Sequence, residues 1–346
     1  MTFGILGSGS WGTALAKILT DNGQTISWWV RNETSLAFLK TRHHNPHYLS
    51  SAHFDIEKLR LTTDPAQVIS NSDCIVIAVP SAFVISALKG LPPELFTGKK
   101  ILSAIKGMLP DQNLLLNEYL KNEFGVDLKN YFTVLGPCHA EEVAAEKLSY
   151  LTFSGIDGES THAIASGFRT DYLNTIENND IYGVQFAAVL KNIYAVGAGM
   201  AHGLDYGDNF LSVLIANSAD EMAGFLRKSG VQNIQVGSIE HHQATSPKPA
   251  TTNYAASVYL GDLLVTCYSL HSRNRLLGSM IGKGYSVKSA LLEMSMVAEG
   301  YNASRCIQHI NRSVGAEIPI AETVYKILWE ALPVAEGFSR IETTLV

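Results

Sequence analysis

A chain of 346 residues is longer than one ordinary domain and suggests two. Its 46% hydrophobic content supports a sizeable core, and its net charge of -6 argues against a nucleic-acid partner, which would need a broad basic patch. A small anionic ligand stays open, because a few local cations suffice for it. No uninterrupted apolar run approaches the ~20 residues that span a bilayer, and no stable membrane insertion is expected. The N-terminus opens on a strand-like stretch without a cationic leader, so a cytoplasmic location is expected. Cys74, Cys138, Cys267 and Cys306 are scattered with no CxxC pair. Neither a disulfide framework nor a metal site is expected from them.

Taken in chain order, residues 3–6 read as a strand, 12–22 as a helix ending at Gly23, and 25–30 as a second strand. Residues 74–79 form a continuous apolar run, the mark of a parallel strand buried on both faces, and Pro80 stops it. Residues 99–105 and 132–135 read as further strands. Strands alternating with helical stretches imply βαβ units and a doubly wound sheet. From about Tyr182 the periodicity turns helical, over 184–201, 209–229 and 285–311. The fold expected is α/β, an N-terminal doubly wound Rossmann-like domain followed by an all-α C-terminal domain. The boundary falls between Tyr182 and Lys191, written as 1–185 and 186–346. Residues 237–257 read as a loop or insertion, and no internal repeat is present.

Gly7-Ser8-Gly9-Ser10-Trp11-Gly12 follows a strand and opens a helix. Glycines at these places allow a tight turn, close approach to a pyrophosphate and close helix packing. The helix N-terminus then offers N–H groups and positive dipole to the phosphates. An isolated GxGxxG is only a glycine turn; a strand before and a helix after make it a dinucleotide site. An NAD-preferring site places an acid at the end of the second strand, where it holds the ribose 2′-hydroxyl. Here Trp28-Trp29-Val30 runs into Arg31, which can pair with a 2′-phosphate that a carboxylate would repel. NADP is therefore favoured with dual use left open, and Arg31 as a merely solvated cation is the alternative. Nearby Glu33 leaves the choice open.

Ser103-Ala104-Ile105-Lys106-Gly107 and Gly136-Pro137-Cys138-His139-Ala140-Glu141 both follow predicted strand ends. That edge of an open α/β sheet is where ligands bind. Lys191-Asn192 lies inside a strongly apolar helical stretch. A lysine buried there is costly unless paired or deprotonated, and desolvation favours the neutral amine, which suits acid–base work. A snorkelling or ion-paired structural lysine reads equally well at this point. Gly261-Asp262-Leu263-Leu264-Val265-Thr266 and Ser272-Arg273-Asn274-Arg275 supply an acid, a hydroxyl and an Arg-Asn pair. An arginine fork is well suited to phosphate.

Together the segments GSGSWGTALA, SAIKGM, GPCHAEE, KNIYAVGAG, GDLLVTC, SRNRLLG and VAEG resemble the bacterial-type NAD(P)-dependent glycerol-3-phosphate dehydrogenases, from the first strand to about Asn302. The resemblance implies interconversion of glycerol-3-phosphate and dihydroxyacetone phosphate, in the reducing direction for phospholipid synthesis, by a cytoplasmic homodimer. It implies that Gly7, Gly9, Ser10, Trp11 and Gly12 meet the cofactor pyrophosphate and Arg31 the adenine ribose. Tyr48, Phe83, Lys106, Ala140, Arg273, Val297 and Glu299 are the other cofactor contacts it implies. Lys191 would accept the hydroxyl proton, positioned by Asn192, Asp262 and Thr266. Lys106, Gly136, Cys138, Lys191, Asp262, Ser272, Arg273 and Asn274 would hold the substrate.

The sequence also departs from the family's pattern. Cys138 stands where serine is usual, Ala216-Asn217-Ser218 replaces an Arg-Gly pair before Glu221-Met222, and Tyr259-Leu260 replaces small residues. The segment 237–257 is long and carries His241-His242, expected to be solvated. Two other readings compete: a different two-domain hydroxyacid dehydrogenase, and a non-catalytic NADPH-binding sensor. The triplet Ser272-Arg273-Asn274 beside Gly261-Asp262 favours the three-carbon phosphate over the first. Retention of Lys191 and Arg273 weighs against the second.

Overall fold

The apolar run at 74–77 is buried on both faces: Cys74 and Val76 enter one hydrophobic core, Ile75 and Ile77 another. Side chains alternate across a strand, so one run feeds both layers of helices. In this computed structural model, which describes residues 1–230, 255–294 and 296–346, the run is the fourth of eight strands among the described residues. They are β1 (Phe3–Leu6), β2 (Ile26–Trp29), β3 (Leu59–Thr62), β4 (Cys74–Ile77), β5 (Lys100–Ser103), β6 (Tyr131–Leu135), β7 (Ser149–Ser154) and β8 (Leu173–Asn178). The sheet order is β3-β2-β1-β4-β5-β6-β7-β8. Strands β1 to β6 run parallel, β7 is antiparallel to β6, and β8 is parallel to β7. The order reverses between β1 and β4, in register as Leu6 opposite Ile77. In a doubly wound sheet the ligand crevice lies beyond the carboxyl ends at that switch point.

The chain divides into two compact units, Met1–Ile181 and Tyr182–Val346. The helices of the first are α1 (Ser10–Asp21), α2 (Glu33–Arg42), α3 (Pro65–Ser70), α4 (Val84–Leu88), α5 (Leu116–Phe124), α6 (Ala140–Ala144) and α7 (Gly158–Gly167). The second begins within α8 (Ile181–Gly203) and continues through α9 (Asp208–Lys228), α10 (Leu260–Tyr268) and α11 (Arg273–Gly282). It closes with α12 (Val287–Glu293), α13 (Glu299–Val314), α14 (Pro319–Trp329) and α15 (Val334–Glu342), and no strand occurs among its described residues. Helix α8 is long and apolar enough to cross a membrane, yet it is almost wholly buried inside the protein. It is a core helix.

Three strands escape a reading by apolar runs. β3, β7 and β8 mix polar side chains into their spans, and β8 at the sheet edge has one fully buried residue, Leu173. The single helix expected over 285–311 is broken in two. Met294 and Ala298 take extended backbone, ending α12 and preceding α13. The break leaves the Gly300 N–H without a partner inside α13, and Asn274 Oδ1 accepts it at 2.9 Å. The long segment expected at 237–257 lies outside the described residues as far as 254, His241-His242 included; residues 255–259 form a π-helical turn leading into α10.

Close backbone contact fixes the centre of the second unit. A Cβ on Gly199 of α8 would lie 2.1 Å from the Arg275 carbonyl oxygen of α11, and one on Gly278 of α11 2.0 Å from that of Val196. Gly203 and Gly282 meet in the same way, so each helix carries glycines four residues apart on the facing stripe. A Cβ on Gly300 would lie 2.5 Å from the Asn192 carbonyl oxygen, which brings the start of α13 onto α8 as well.

Candidate active site

The three motif glycines do three different jobs. Gly7 leaves β1 with φ +124°, and a Cβ there would meet the Ala78 carbonyl oxygen at 2.8 Å, just past β4. A Cβ on Gly12 would press on the Gly7 carbonyl oxygen at 2.3 Å, so this glycine lets α1 seat on the turn. Gly9 faces open space, with nothing within 4 Å of an added Cβ. Helix α1 begins beside it with no side-chain cap and no acid in its first turn. An uncapped helix N-terminus behind an open glycine face fits a pyrophosphate. The turn is held from two sides. Trp28 Nε1 donates to the Gly7 carbonyl at 2.9 Å, and Asn45 Nδ2 donates to the Ser8 carbonyl at 3.0 Å and to Thr13 Oγ1 at 2.9 Å.

Beyond the other strand ends, Trp11, Lys106 and Gly136 come together. Lys106 Nζ lies 5.3 Å from the Trp11 ring centroid and donates to the Gly136 carbonyl at 3.2 Å. A cation over an aromatic face is attracted by the ring's quadrupole. The Trp11 indole Nε1 is buried and has no hydrogen-bond partner among the described residues. Gly136 takes φ +137°, and β7 passes close: a Cβ there would lie 2.9 Å from the Tyr150 carbonyl oxygen. Cys138 is buried just past it, and Ala140 opens the short helix α6. Phe83 stands exposed after β4. Tyr48 is half-buried, its N–H donating to Asn45 Oδ1 at 3.2 Å.

At the end of β2, Arg31 is exposed and has no ion-pair or hydrogen-bond partner among the described residues. Asn32 caps α2 by accepting from the Ser35 N–H at 2.8 Å. Glu33 does not turn to the arginine two residues away. Its Oε1 accepts the Thr63 hydroxyl at 2.6 Å.

In the second unit, Lys191 is 2% exposed and pairs with Asp262 Oδ1, itself 1% exposed. Lys191 Nζ also donates to Thr266 Oγ1 at 3.1 Å. Lys191 lies on α8, while Asp262 and Thr266 stand one turn apart on α10. Asp262 Oδ2 is buried and has no hydrogen-bond partner among the described residues. The neighbouring Cys267 is fully buried, which pushes its thiol up to about 12 against the opposing charges of Lys191 and Arg275. It stays protonated at neutral pH and is no nucleophile.

A second chain of contacts links α8 to α11 and α13. Asn192 Nδ2 donates to the Ala188 carbonyl at 3.0 Å, and its Oδ1 accepts from Asn274 Nδ2 at 2.8 Å. Asn274 Oδ1 in turn holds the Gly300 N–H, next to Glu299 and three residues past Val297. Ser272 caps α11 through the Arg275 N–H at 3.2 Å, and Arg273, the first residue of that helix, is exposed. The two units thus assemble two groups, Trp11–Lys106–Gly136 and Lys191–Asn192–Asp262–Thr266–Asn274. Tyr48, Phe83, Arg31 and Arg273 stand as separate side chains.

Several residues around these groups carry no role in the sequence reading. Asn45, Trp28 and Thr63 act on residues 21 to 37 positions away, a range no periodicity reports. Glu221 is buried on α9 and accepts from Tyr194 Oη at 3.1 Å and from the N–H groups of Ile320 and Ala321 at 2.8 and 2.9 Å. A glutamate within an apolar helical face was the available signal. Among the departures, Asn217 pairs its amide both ways with the main chain of Val346, at 3.0 and 3.2 Å.

Residues 2–160 match the family NAD-dependent glycerol-3-phosphate dehydrogenase N-terminus, and residues 180–339 match its C-terminus. The glycerol-3-phosphate dehydrogenase [NAD(P)+] of Lacticaseibacillus paracasei is 32% identical over 338 residues, covering 95% of this chain and 91% of the relative. That of Staphylococcus epidermidis is 32% identical over 334 residues, 96% of this chain and 95% of its own. Among solved structures, the glycerol-3-phosphate dehydrogenase of Coxiella burnetii has a TM-score of 0.84 at 24% identity and covers 98% of each chain, a likeness of fold. With both halves matched in order, the chain belongs to the NAD-dependent glycerol-3-phosphate dehydrogenase family.

Proposed function

We propose that this protein interconverts glycerol-3-phosphate and dihydroxyacetone phosphate, using NADPH or NADH. The observation that carries the reading is the buried cluster of Lys191, Asp262 and Thr266 in a chain that also has an open glycine turn. A neutral lysine amine has two N–H bonds and one lone pair. In that form Lys191 directs N–H bonds to Asp262 and Thr266, and its lone pair takes the C2 hydroxyl proton of glycerol-3-phosphate. The bound nicotinamide supplies the hydride acceptor for C2, and in the reverse direction the Lys191 ammonium returns the proton to the developing alkoxide. Positive charge at Lys191, Lys106 and Arg273 stabilises that oxygen and anchors the phosphate.

In this reading Gly7, Gly9, Ser10, Trp11 and Gly12 hold the pyrophosphate, and Arg31 meets the adenine ribose or its 2′-phosphate. Tyr48, Phe83, Lys106, Ala140, Arg273, Val297 and Glu299 complete the cofactor contacts. Gly136, Cys138, Ser272, Arg273 and Asn274 orient the substrate, and Asn192 keeps Asn274 in place. The first unit serves as the dinucleotide domain and the second as the catalytic domain, with a cytoplasmic homodimer supplying glycerol-3-phosphate to phospholipid synthesis. The test is dihydroxyacetone-phosphate-dependent oxidation of NADPH and of NADH, with Lys191→Ala as control. Turnover that the variant loses supports the assignment. Cofactor binding without turnover of this substrate sinks it.

A further inference from the structure

We infer that Thr63 is a specificity-determining residue for the cofactor: by holding the Glu33 carboxylate it leaves Arg31 free to take a 2′-phosphate. The inference rests on the proposed reading of Arg31 at the adenine ribose. What it adds is the reason an acid two residues away does not defeat that role.

Arg31 and Glu33 flank Asn32 at the end of β2, the place from which a doubly wound fold reads the ribose. Left to itself, a glutamate here has two natural partners. It can neutralise Arg31, or it can accept the ribose hydroxyls as the acid of an NAD site does. Either would work against a 2′-phosphate, the first by occupying the cation and the second by repelling the dianion. In the structure Arg31 carries no partner among the described residues, and Glu33 Oε1 takes the Thr63 hydroxyl at 2.6 Å. A short hydrogen bond to an ionised acceptor is among the stronger kinds.

Thr63 is itself well placed for this. Trp29, the last residue of β2, donates its indole Nε1 to the Thr63 carbonyl at 3.0 Å. The ladder continues one step past the strands, with the Val30 N–H donating to the Thr62 carbonyl at 2.9 Å. The backbone that carries the hydroxyl is therefore tied to the same strand end that carries Arg31. The other acid of this loop, Asp64, is engaged elsewhere, capping α3 through the Ala66 N–H at 2.9 Å. Two carboxylates lie near the cation in sequence, and each is held by a different local donor.

The test is direct binding of two probes that differ only in the 2′-phosphate, adenosine 2′,5′-bisphosphate and adenosine 5′-monophosphate, by calorimetry. Thr63→Val removes the hydroxyl and keeps the shape. It is expected to weaken the bisphosphate by about threefold to tenfold, the range of one like charge released at the protein surface. Binding of the monophosphate should stay level or tighten. Thr63→Ser should keep the wild-type ratio, and Thr63→Val combined with Glu33→Gln should restore it. The ratio of kcat/KM for NADPH over NADH should move in parallel. Arg31→Gln is the control on the underlying reading. If it erases the preference for bisphosphate while Thr63→Val changes nothing, the role of Thr63 is overturned and that of Arg31 stands. If Arg31→Gln also changes nothing, the assignment of Arg31 falls as well.

Discussion

The Thr266 hydroxyl donates to the main-chain carbonyl of Asp262 at 2.5 Å, so it meets the Lys191 ammonium, 3.1 Å away, only as an acceptor. A hydroxyl has one proton to give, and the i−4 carbonyl has claimed it. This fixes the direction of the bond between Lys191 and Thr266. Thr266→Val keeps the shape and removes the acceptor. The expected result is a drop in kcat of about tenfold to a hundredfold with KM for dihydroxyacetone phosphate little changed, because the proton-transfer group is misplaced and binding is not. Thr266→Ser should recover most of it. A valine variant with wild-type kcat would remove Thr266 from the mechanism.

The Lys191–Asp262 pair separates stability from chemistry. A buried pair broken on one side leaves an uncompensated charge. Asp262→Ala should therefore destabilise the second unit by about 3–5 kcal/mol in urea unfolding and abolish turnover. Replacing both partners by apolar residues, Lys191→Met with Asp262→Leu, should return much of that stability and none of the turnover. Activity in the double variant would show that the pair is structural and that the acid–base group lies elsewhere.

What could be read beforehand is what is local. Gly7, Gly9 and Gly12 sit within one turn, and a lysine in an apolar helix announces itself through its immediate neighbours. The partners of that lysine are another matter. Lys191 meets Thr266 across 75 positions, and Asn192 meets Asn274 across 82. Only family resemblance joined them before the fold did. Strand β7 was invisible to hydrophobic pattern because serine and threonine fill buried places in it, and β8 because it lies at the sheet edge. β8 keeps mostly half-exposed side chains. The break between α12 and α13 was missed for a related reason: the apolar spacing continues, while the acceptor that rewards the break is a carboxamide oxygen 26 residues upstream.

Glu221 gives the protein a pH dependence with a definite sign. Burial raises its carboxyl to about 7 from an ordinary 4.5, despite the N–H groups of Ala321 and Ile320 and the Tyr194 hydroxyl, which favour the anion; the nearby Glu322 adds to the rise. An acid raised in the folded state stabilises that state below the unfolded value, and the contribution is lost as pH climbs through the folded one. The second unit should thus lose roughly 3 kcal/mol from this group between about pH 4.5 and 7, at about 1.4 kcal/mol for each pH step of one across that window. Glu221→Gln removes the titration. Its Nε2 must face one backbone N–H, so a constant penalty of about 1 kcal/mol is expected alongside. The measurement is the difference in unfolding free energy between wild type and variant across that range. A difference that does not change with pH would mean that Glu221 does not titrate there.

The glycines of α8 and α11 are expected to divide sharply by what surrounds them. At Gly199 and Gly278 an added methyl would overlap main-chain carbonyls, at 2.1 and 2.0 Å, and two packed helix backbones cannot step aside as a side-chain tip can. Overpacking of this kind costs about 1–3 kcal/mol or more. It also pushes apart the helices that hold Lys191 and Asn274, so Gly199→Ala and Gly278→Ala should lose turnover even where they remain folded. Gly224, inside α9, is the contrast. Nothing lies within 4 Å of its would-be Cβ, and its backbone is helical. Gly224→Ala should therefore stabilise by about 0.5–1 kcal/mol, through lower backbone entropy in the unfolded chain, and leave kcat unchanged. Thermal unfolding and steady-state assays on the three variants decide the matter. If Gly199→Ala behaves like Gly224→Ala, the close α8–α11 contact is not what aligns the site.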